Sequence, residues 1–596
     1  MFQSVPHMLF QTIEHHGKKD ALRYRKNGQL IRYTYDHFGD QIRYLTHGLA
    51  SAGLKSGDKI AILSNNRPEW TISDFATFAL RAIVVPIYQT LPANQIRFIL
   101  NDCGARAIFV EDQSQFDKII SIKNELPKLK FVFAFDDLES DEQQVIYFDQ
   151  LILKGEKHRQ VDPDFFDETL DEIDPEDICS IVYTSGTTGN PKGVMLHHKG
   201  FITDIINSEA RLNLFPEDVF LSFLPLSHLY ERLAGHWCPM YRGGTIHYAR
   251  SIDTVVEDIA DAKPTVMVSV PRLYEKIANA VMAQVQQGSF LKKKIFYWAL
   301  RTGLEYHRKK IDKAVSPSLE RKYRLADKLA FSKIKKKLGG NFRYPIAGGA
   351  PLSVETLKFF EAIGLRIIEG YGMTETHLII TLTPFGKTKY GSCGKPIDGV
   401  QVKITDDGEV LIKGETLMAG YYNQPELTKE VIDEDGWLHT GDIGHLDDEQ
   451  FLFLTDRKKN ILVTSGGKNV ASAPIENKLK TSPFIEDICL IGDHRKFVSA
   501  IIVPVYDQLK KWAAEQGLRA SDNEALVKHE AVRKMVLSEI EDLQSEFARY
   551  EKVKKIILLA EPLSIERGEL TPSLKIKRNV VLKRYKEEID ALYAEE

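Results

Sequence analysis

The chain has 596 residues, too many for one hydrophobic core, so two or more domains are expected. With 43% hydrophobic and 27% charged residues it reads as globular, and a net charge of −4 gives no reason to expect nucleic acid as a partner. Five scattered cysteines (Cys103, Cys179, Cys238, Cys393, Cys489) show no C-x-x-C spacing, which argues against a disulfide framework or zinc site and for a reducing compartment. The opening MFQSVPHMLFQTIEHH lacks the basic and apolar regions of a signal peptide. The most apolar stretch, residues 70–88, is cut by Asp74, Arg81 and Pro86 and does not read as a membrane span. A cytoplasmic protein is expected.

In chain order, short β-branched or aromatic runs at 60–63, 83–85, 107–110 and 131–135 alternate with helix-period segments such as 94–101. Runs at 266–270, 343–346 and 365–368 repeat the pattern. The alternation predicts an α/β fold: a large N-terminal domain of layered subdomains with mainly parallel sheets. Short strands at 402–405, 410–413 and 451–454 around Asp-Gly turns predict a small β-rich subdomain. A charged break, DRKKN, then opens a small α+β domain with strands at 488–491, 500–503 and 556–559. Its long helix is expected to start from a capping box at Ser521 and Glu524 and to present Val532, Val536, Ile540, Leu543 and Phe547 on one face. The domains are placed at 1–456 and 457–596.

Between Lys292 and Lys337 stand 16 lysines or arginines against 4 acidic residues. The segment reads as a helical hairpin with Phe296, Leu300 and Leu304 on one face and a break at Ser316-Pro317. Such charge either faces water or meets an anionic membrane surface, peripherally at its inner face.

The apolar run 178–182 leads into YTSGTTGNPKG (183–193), which crowds small residues, hydroxyls and a lysine into one connection. Backbone N–H groups and hydroxyls in such a loop suit phosphate, although the Gly-Lys-Ser/Thr succession of the P-loop is absent. Gly348-Gly349-Ala350-Pro351 follows a strand and leaves backbone open to a ligand. Gly370-Tyr371-Gly372-Met373-Thr374-Glu375-Thr376 offers a ring to stack on a base, a hydroxyl, and a carboxylate of the kind that joins phosphate oxygens around Mg²⁺. Thr440-Gly441-Asp442 offers a carboxylate for sugar hydroxyls, and Arg457 a fork of donors. A lysine, Lys575, follows Thr571-Pro572-Ser573-Leu574, with Lys577 as its rival. His228-x-x-Glu231 with His236 does not complete H-E-x-x-H, so zinc is not expected there.

Together these stretches resemble the adenylate-forming enzymes: acyl-CoA synthetases, luciferases and the adenylation domains of peptide synthetases. The resemblance spans nearly the whole chain in the family's order. LPLSHLYER (224–232), VPRLYEKI (270–277), the basic helical insertion at about 280–340 and GGKNVASAPIE (466–476) make it similar to the long-chain fatty acid–CoA ligases. The family's small-residue-Gly-Lys is Ser573-Leu574-Lys575 here. The resemblance implies that Thr184, Ser185, Gly186, Thr187, Thr188, Gly189 and Lys192 hold the β- and γ-phosphates of ATP. It puts Gly348, Gly349, Ala350, Pro351, Tyr371 and Gly372 around adenine, Thr374 on the α-phosphate, Glu375 on Mg²⁺, and Asp442 and Arg457 on ribose. Lys575, Glu375 and Thr184 would be catalytic, and Lys459 the hinge of a mobile C-terminal domain. Gly466, Gly467, Lys468 and Asn469 would serve the CoA side. Acyl-site candidates are His228, Trp237, Phe223 and Tyr230. The implied partners are a fatty acid, ATP and CoA. A fatty acyl-AMP ligase serving a carrier protein is the nearest alternative; the run from Thr440 to Gly467 shows no insertion that would hamper domain rotation. A non-catalytic nucleotide- or lipid-binding protein on the same fold is the other.

Overall fold

The computed structural model describes residues 2–139, 145–184, 191–571 and 574–594. They divide into two units. One comprises residues 1–402, 411–439 and 448–452; the other comprises residues 403–410, 440–447 and 453–596.

The first unit is α/β, with parallel strands at the centre of two large sheets. In the eight-stranded sheet Lys59–Leu63 lies between Ile83–Ile87 and Ala107–Val110, all parallel. Apart from Lys59 at the start of the first, these strands are apolar and mostly buried, as parallel strands covered on both faces require. Ile83–Ile87 runs parallel to Ile178–Thr184, and from there the sheet turns antiparallel, adding Lys192–His197 and then Gly420–Tyr421. The nine-stranded sheet has a parallel centre containing Val219–Ser222, Val266–Ser269, Tyr344–Ala347 and Ile368–Met373. Antiparallel hairpins close both of its edges.

The strand read at 365–368 begins at Ile368 instead and continues to Met373. Gly370 to Met373 is therefore itself strand, paired antiparallel with Leu378–Leu382, and only Thr374–Thr376 forms the turn. Alternating glycines hid this strand, because they remove the side chains on which a period-2 pattern depends.

The basic segment is helical as expected. Phe290–Ile311 and Pro317–Ala326 are joined across Ser316, whose hydroxyl accepts from the Leu319 N–H at 3.3 Å. Tyr306 and Tyr323 stack between the two helices with centroids 4.1 Å apart. Gly303 lets the first helix lie on Val354–Ala362: a Cβ there would fall 2.1 Å from the Ala362 carbonyl oxygen.

In the second unit, Val498–Pro504 pairs antiparallel with Ile485–Ile491 and parallel with Val553–Leu558. The expected long helix is two helices, Asn523–Lys528 and Glu530–Leu543, divided at His529. The cap is Asp522 rather than Ser521, its carboxylate accepting from the Ala525 N–H at 2.8 Å. A carboxylate at the positive end of a helix outcompetes a neighbouring hydroxyl. Val532, Val536 and Ile540 are buried as predicted, whereas Phe547 lies beyond the helix end.

Candidate active site

In the first unit, Thr184 ends one strand and Lys192 begins the next, and the two are paired in register. Ser185, Gly186, Thr187, Thr188 and Gly189 lie outside the described residues. Unlike a P-loop, this connection joins two strands rather than a strand and a helix. Lys192 sets its Nζ 5.3 Å from the centre of the Tyr421 ring. The Tyr421 hydroxyl in turn donates to Glu375 Oε1 at 2.9 Å. Lys192 and the carboxylate of the Thr374–Thr376 turn are thus joined through a single buried phenol. Tyr421 is held there by backbone pairing with Val194, and the Met418 N–H donates to the Glu375 carbonyl at 2.8 Å. Burial first, and then the Glu375 charge, raise the Tyr421 pKa, so its hydroxyl remains a donor through neutral pH.

Among the described residues no group of three metal-binding side chains occurs. The carboxylate of Glu375 still fits Mg²⁺, which keeps several waters and takes one or two carboxylates along with substrate phosphates.

The hairpin carrying Tyr371, Gly372, Thr374 and Glu375 has a bulge between Tyr371 and Gly372. A Cβ on Gly372 would fall 1.3 Å from the Leu378 carbonyl oxygen, so only glycine fits. The next residue after the turn, His377, is fully buried. Its Nδ1–H donates to the Thr416 carbonyl at 2.8 Å, and its Nε2 accepts from the His197 N–H at 3.0 Å. Burial, reinforced by the neighbouring His197, lowers its pKa to about 3, and this neutral ring ties the hairpin to the strand that begins at Lys192.

Of the acyl-site candidates, Tyr230 packs its ring against Gly348, where a Cβ would sit 3.0 Å from the ring. Its hydroxyl donates to the Ser269 carbonyl at 3.0 Å. Gly349 takes φ +81° beside it, and Ala350 and Pro351 follow in the same turn. His228 Nδ1 accepts from the Tyr230 N–H at 3.1 Å, while Phe223 packs on the apolar cluster that includes Tyr274 and Phe296. Trp237 is sealed inside the core among Phe75, Phe78 and Phe201. Arg232 is equally buried: it is paired with Asp74, hydrogen-bonded to the Ser180 hydroxyl at 2.9 Å, and lies 4.9 Å from the Trp237 ring. Burial pushes Glu231 up to about 8, with the Ser222 hydroxyl pulling the other way.

In the second unit, Asp442 Oδ1 lies 3.1 Å from Arg457 Nε. Gly441 adopts φ +69°, and its N–H donates to Glu409 at 3.0 Å. Lys575 lies within electrostatic reach of both Arg457 and Asp442. Its pKa falls to about 8, through loss of surrounding water first and the Arg457 charge second, with Asp442 opposing. The residue is nonetheless exposed overall. Its rival Lys577 is tied by its backbone N–H to the Glu569 carbonyl at 2.8 Å. Ser573 lies outside the described residues. Leu574, at the position where glycine was expected, has φ +60°, the left-handed conformation glycine takes without cost. The Thr571 N–H donates to the Lys575 carbonyl and the Leu574 N–H to the Thr571 carbonyl, both at 2.8 Å, which closes this turn. Lys459 sits exposed in the single 3₁₀ turn Lys458–Asn460. Gly466, Gly467 and Lys468 form the tip of the hairpin between Ile461–Val463 and Asn469–Ala471, with Lys468 Nζ 5.9 Å from the Tyr550 ring centre.

The local sequence does not single out Tyr421. An aromatic pair after Gly420 is a weak signal, and its significance lies in contacts with residues far away in the chain.

Residues 9–422 match the model of the AMP-binding enzymes, and residues 459–596 match that of the AMP-binding enzyme C-terminal domain. Long-chain-fatty-acid–CoA ligase ACSBG1 of Rattus norvegicus is 32% identical over 626 residues, covering 100% of this chain and 86% of its own. Long chain acyl-CoA synthetase 6, peroxisomal, of Arabidopsis thaliana is 34% identical, covering 96% of this chain and 83% of its own. Among solved structures, the anthranilate CoA ligase AuaEII in complex with anthranoyl-AMP superposes with a TM-score of 0.75 at 21% identity, covering 99% of this chain and 98% of its own. The A domain of a carboxylic acid reductase from Segniliparus rugosus, in complex with AMP and a co-purified carboxylic acid, gives 0.74 at 22%, covering 99% and 94%. The chain therefore belongs to the AMP-binding, adenylate-forming enzymes, which activate a carboxylic acid with ATP.

Proposed function

We propose that this enzyme is a long-chain fatty acid–CoA ligase. It would convert a fatty acid and ATP to acyl-AMP and pyrophosphate, then acyl-AMP and CoA to acyl-CoA and AMP. The observation that carries this reading is full-length likeness, above 30% identity, to ligases named for long-chain fatty acids.

In the first half-reaction a carboxylate oxygen forms a bond to the α-phosphorus while the bond to pyrophosphate breaks. Both partners are anions, so cations near the phosphates lower the barrier. Lys192 would face the β- and γ-phosphates, its ammonium steered by the Tyr421 ring. Glu375, oriented by the Tyr421 hydroxyl, would hold Mg²⁺, which when bound adds positive charge against the phosphate oxygens. Thr184 and Thr374 would supply hydroxyl donors to phosphate oxygens, Tyr371 would stack on adenine, and Asp442 would accept from the ribose hydroxyls beside Arg457. Lys575, protonated below about pH 8, would neutralise charge between carboxylate and α-phosphate. In the second half-reaction the CoA thiolate attacks the acyl carbonyl and AMP departs, with the Gly466–Asn469 hairpin tip, rather than Lys575, attending the thiol.

CoA-dependent AMP release measured over a ladder of fatty acids tests the proposal, and maximal turnover is expected with long chains. Acyl-AMP accumulation without acyl-CoA would favour transfer to a carrier protein. That alternative has its own support, since the A-PCP didomain of a carboxylic acid reductase is among the structural neighbours. Absence of ATP–pyrophosphate exchange with any acid would leave a non-catalytic nucleotide- or lipid-binding protein.

A further inference from the structure

The helix Phe290–Ile311 begins with two large apolar residues that the fold does not use. Phe290 is 80% exposed and Leu291 65% exposed. The helix buries a different face, where Phe296, Ala299, Thr302 and Gly303 pack inward. Three consecutive lysines follow the apolar pair: Lys292 and Lys294 are exposed, and the Lys294 ammonium lies 5.8 Å from the Phe290 ring centre. Ring and cation therefore share one side of the first turn.

The charge of the segment 292–337, which this tip opens, is strongly one-sided. Three of the segment's four acids are already engaged, Glu305 with Lys309, Glu320 with Arg324 and Asp327 with Lys335. Within the segment only Asp312 remains to oppose the other lysines and arginines. A protein partner would have to be strongly acidic and still offer a slot for two adjacent apolar side chains. A bilayer with anionic headgroups meets both demands at once, because lysines stay at headgroup level while adjacent apolar groups enter the acyl boundary.

We infer that Phe290 and Leu291, with Lys292, Lys293 and Lys294, form a wedge that seats the protein on an anionic lipid surface. The attraction is electrostatic at long range and hydrophobic at contact, so neither component alone suffices. It does not depend on which acid the enzyme activates.

The test is co-sedimentation of the full chain, without substrates, with vesicles of phosphatidylcholine alone or mixed with phosphatidylglycerol. The wild type is expected to sediment with the mixed vesicles only and to be released by high salt. The double variant Phe290→Ser/Leu291→Ser and the triple variant Lys292→Glu/Lys293→Glu/Lys294→Glu should each lose at least about tenfold in partitioning. Phe290, Leu291, Lys292 and Lys294 are exposed and Lys293 is half-buried, none of them in the core, so melting temperature and ATP–pyrophosphate exchange with a soluble short-chain acid should not change. Four results would overturn the inference: equal binding to neutral vesicles, no binding to either, wild-type partitioning by either variant, or retention on nucleic acid without vesicle binding.

Discussion

Replacing Tyr421 with phenylalanine removes one oxygen atom and tests the link between Lys192 and the Glu375 turn. The phenol donates to Glu375 at 2.9 Å from a buried position, while its ring holds the Lys192 ammonium. Phenylalanine keeps the ring and loses only the donor. A hydrogen bond to a charged group contributes about 1.5–3 kcal/mol. If that bond orients Glu375 for MgATP, kcat/KM for MgATP in ATP–pyrophosphate exchange should fall roughly ten- to a hundredfold, at about 1.4 kcal/mol per tenfold. The loss should be expressed chiefly in KM for MgATP and should diminish as Mg²⁺ is raised. Because burial and the Glu375 charge both raise the Tyr421 pKa, the deficit should be constant across neutral pH. Tyr421→Leu, which also removes the ring from Lys192, should cost more. Unchanged MgATP kinetics in Tyr421→Phe would refute the claim that this phenol positions the carboxylate.

Adenylation should lose about tenfold per pH unit above pH 8 as the Lys575 ammonium deprotonates, seen as a falling alkaline limb in kcat/KM for ATP. Lys575→Arg should flatten that limb at a lower rate; an unchanged limb would assign the titration elsewhere. The sign for stability is opposite: the folded value lies below the usual 10.5, so the unfolded chain binds more protons between the two and stability rises with pH across that window. Asp74→Ala should destabilise the fold by about 3–5 kcal/mol in urea unfolding, because it leaves the fully buried Arg232 without its counter-charge; a loss below about 1 kcal/mol would contradict the importance of that pair. Leu574→Gly should leave adenylation intact and not lower stability, since relief of a left-handed penalty of about 1–2 kcal/mol offsets the greater freedom of glycine in the unfolded chain. Leu574→Val, which crowds the same φ, should speed amide exchange around Lys575 and slow adenylation, and wild-type behaviour there would show that the turn tolerates any side chain.

Much of the fold and much of the candidate chemistry were legible in the sequence because they are written locally. An apolar run such as 60–63 reads as a strand buried on both faces, and the small residues that precede Lys192 read as a connection able to approach an anion. Where side chains were missing or several caps competed, the local signal failed. The glycines of 370–373 concealed a strand, and Asp522 displaced Ser521 as the cap. The long-range pairings belong to tertiary structure alone. Tyr421 meets a carboxylate 46 residues earlier in the chain, and Arg232 meets one 158 residues away. No periodicity or spacing encodes such contacts: they arise only when strands like Lys192–His197 and Gly420–Tyr421 pair, and burial then forces each polar group to find the partner that the sheet has brought beside it.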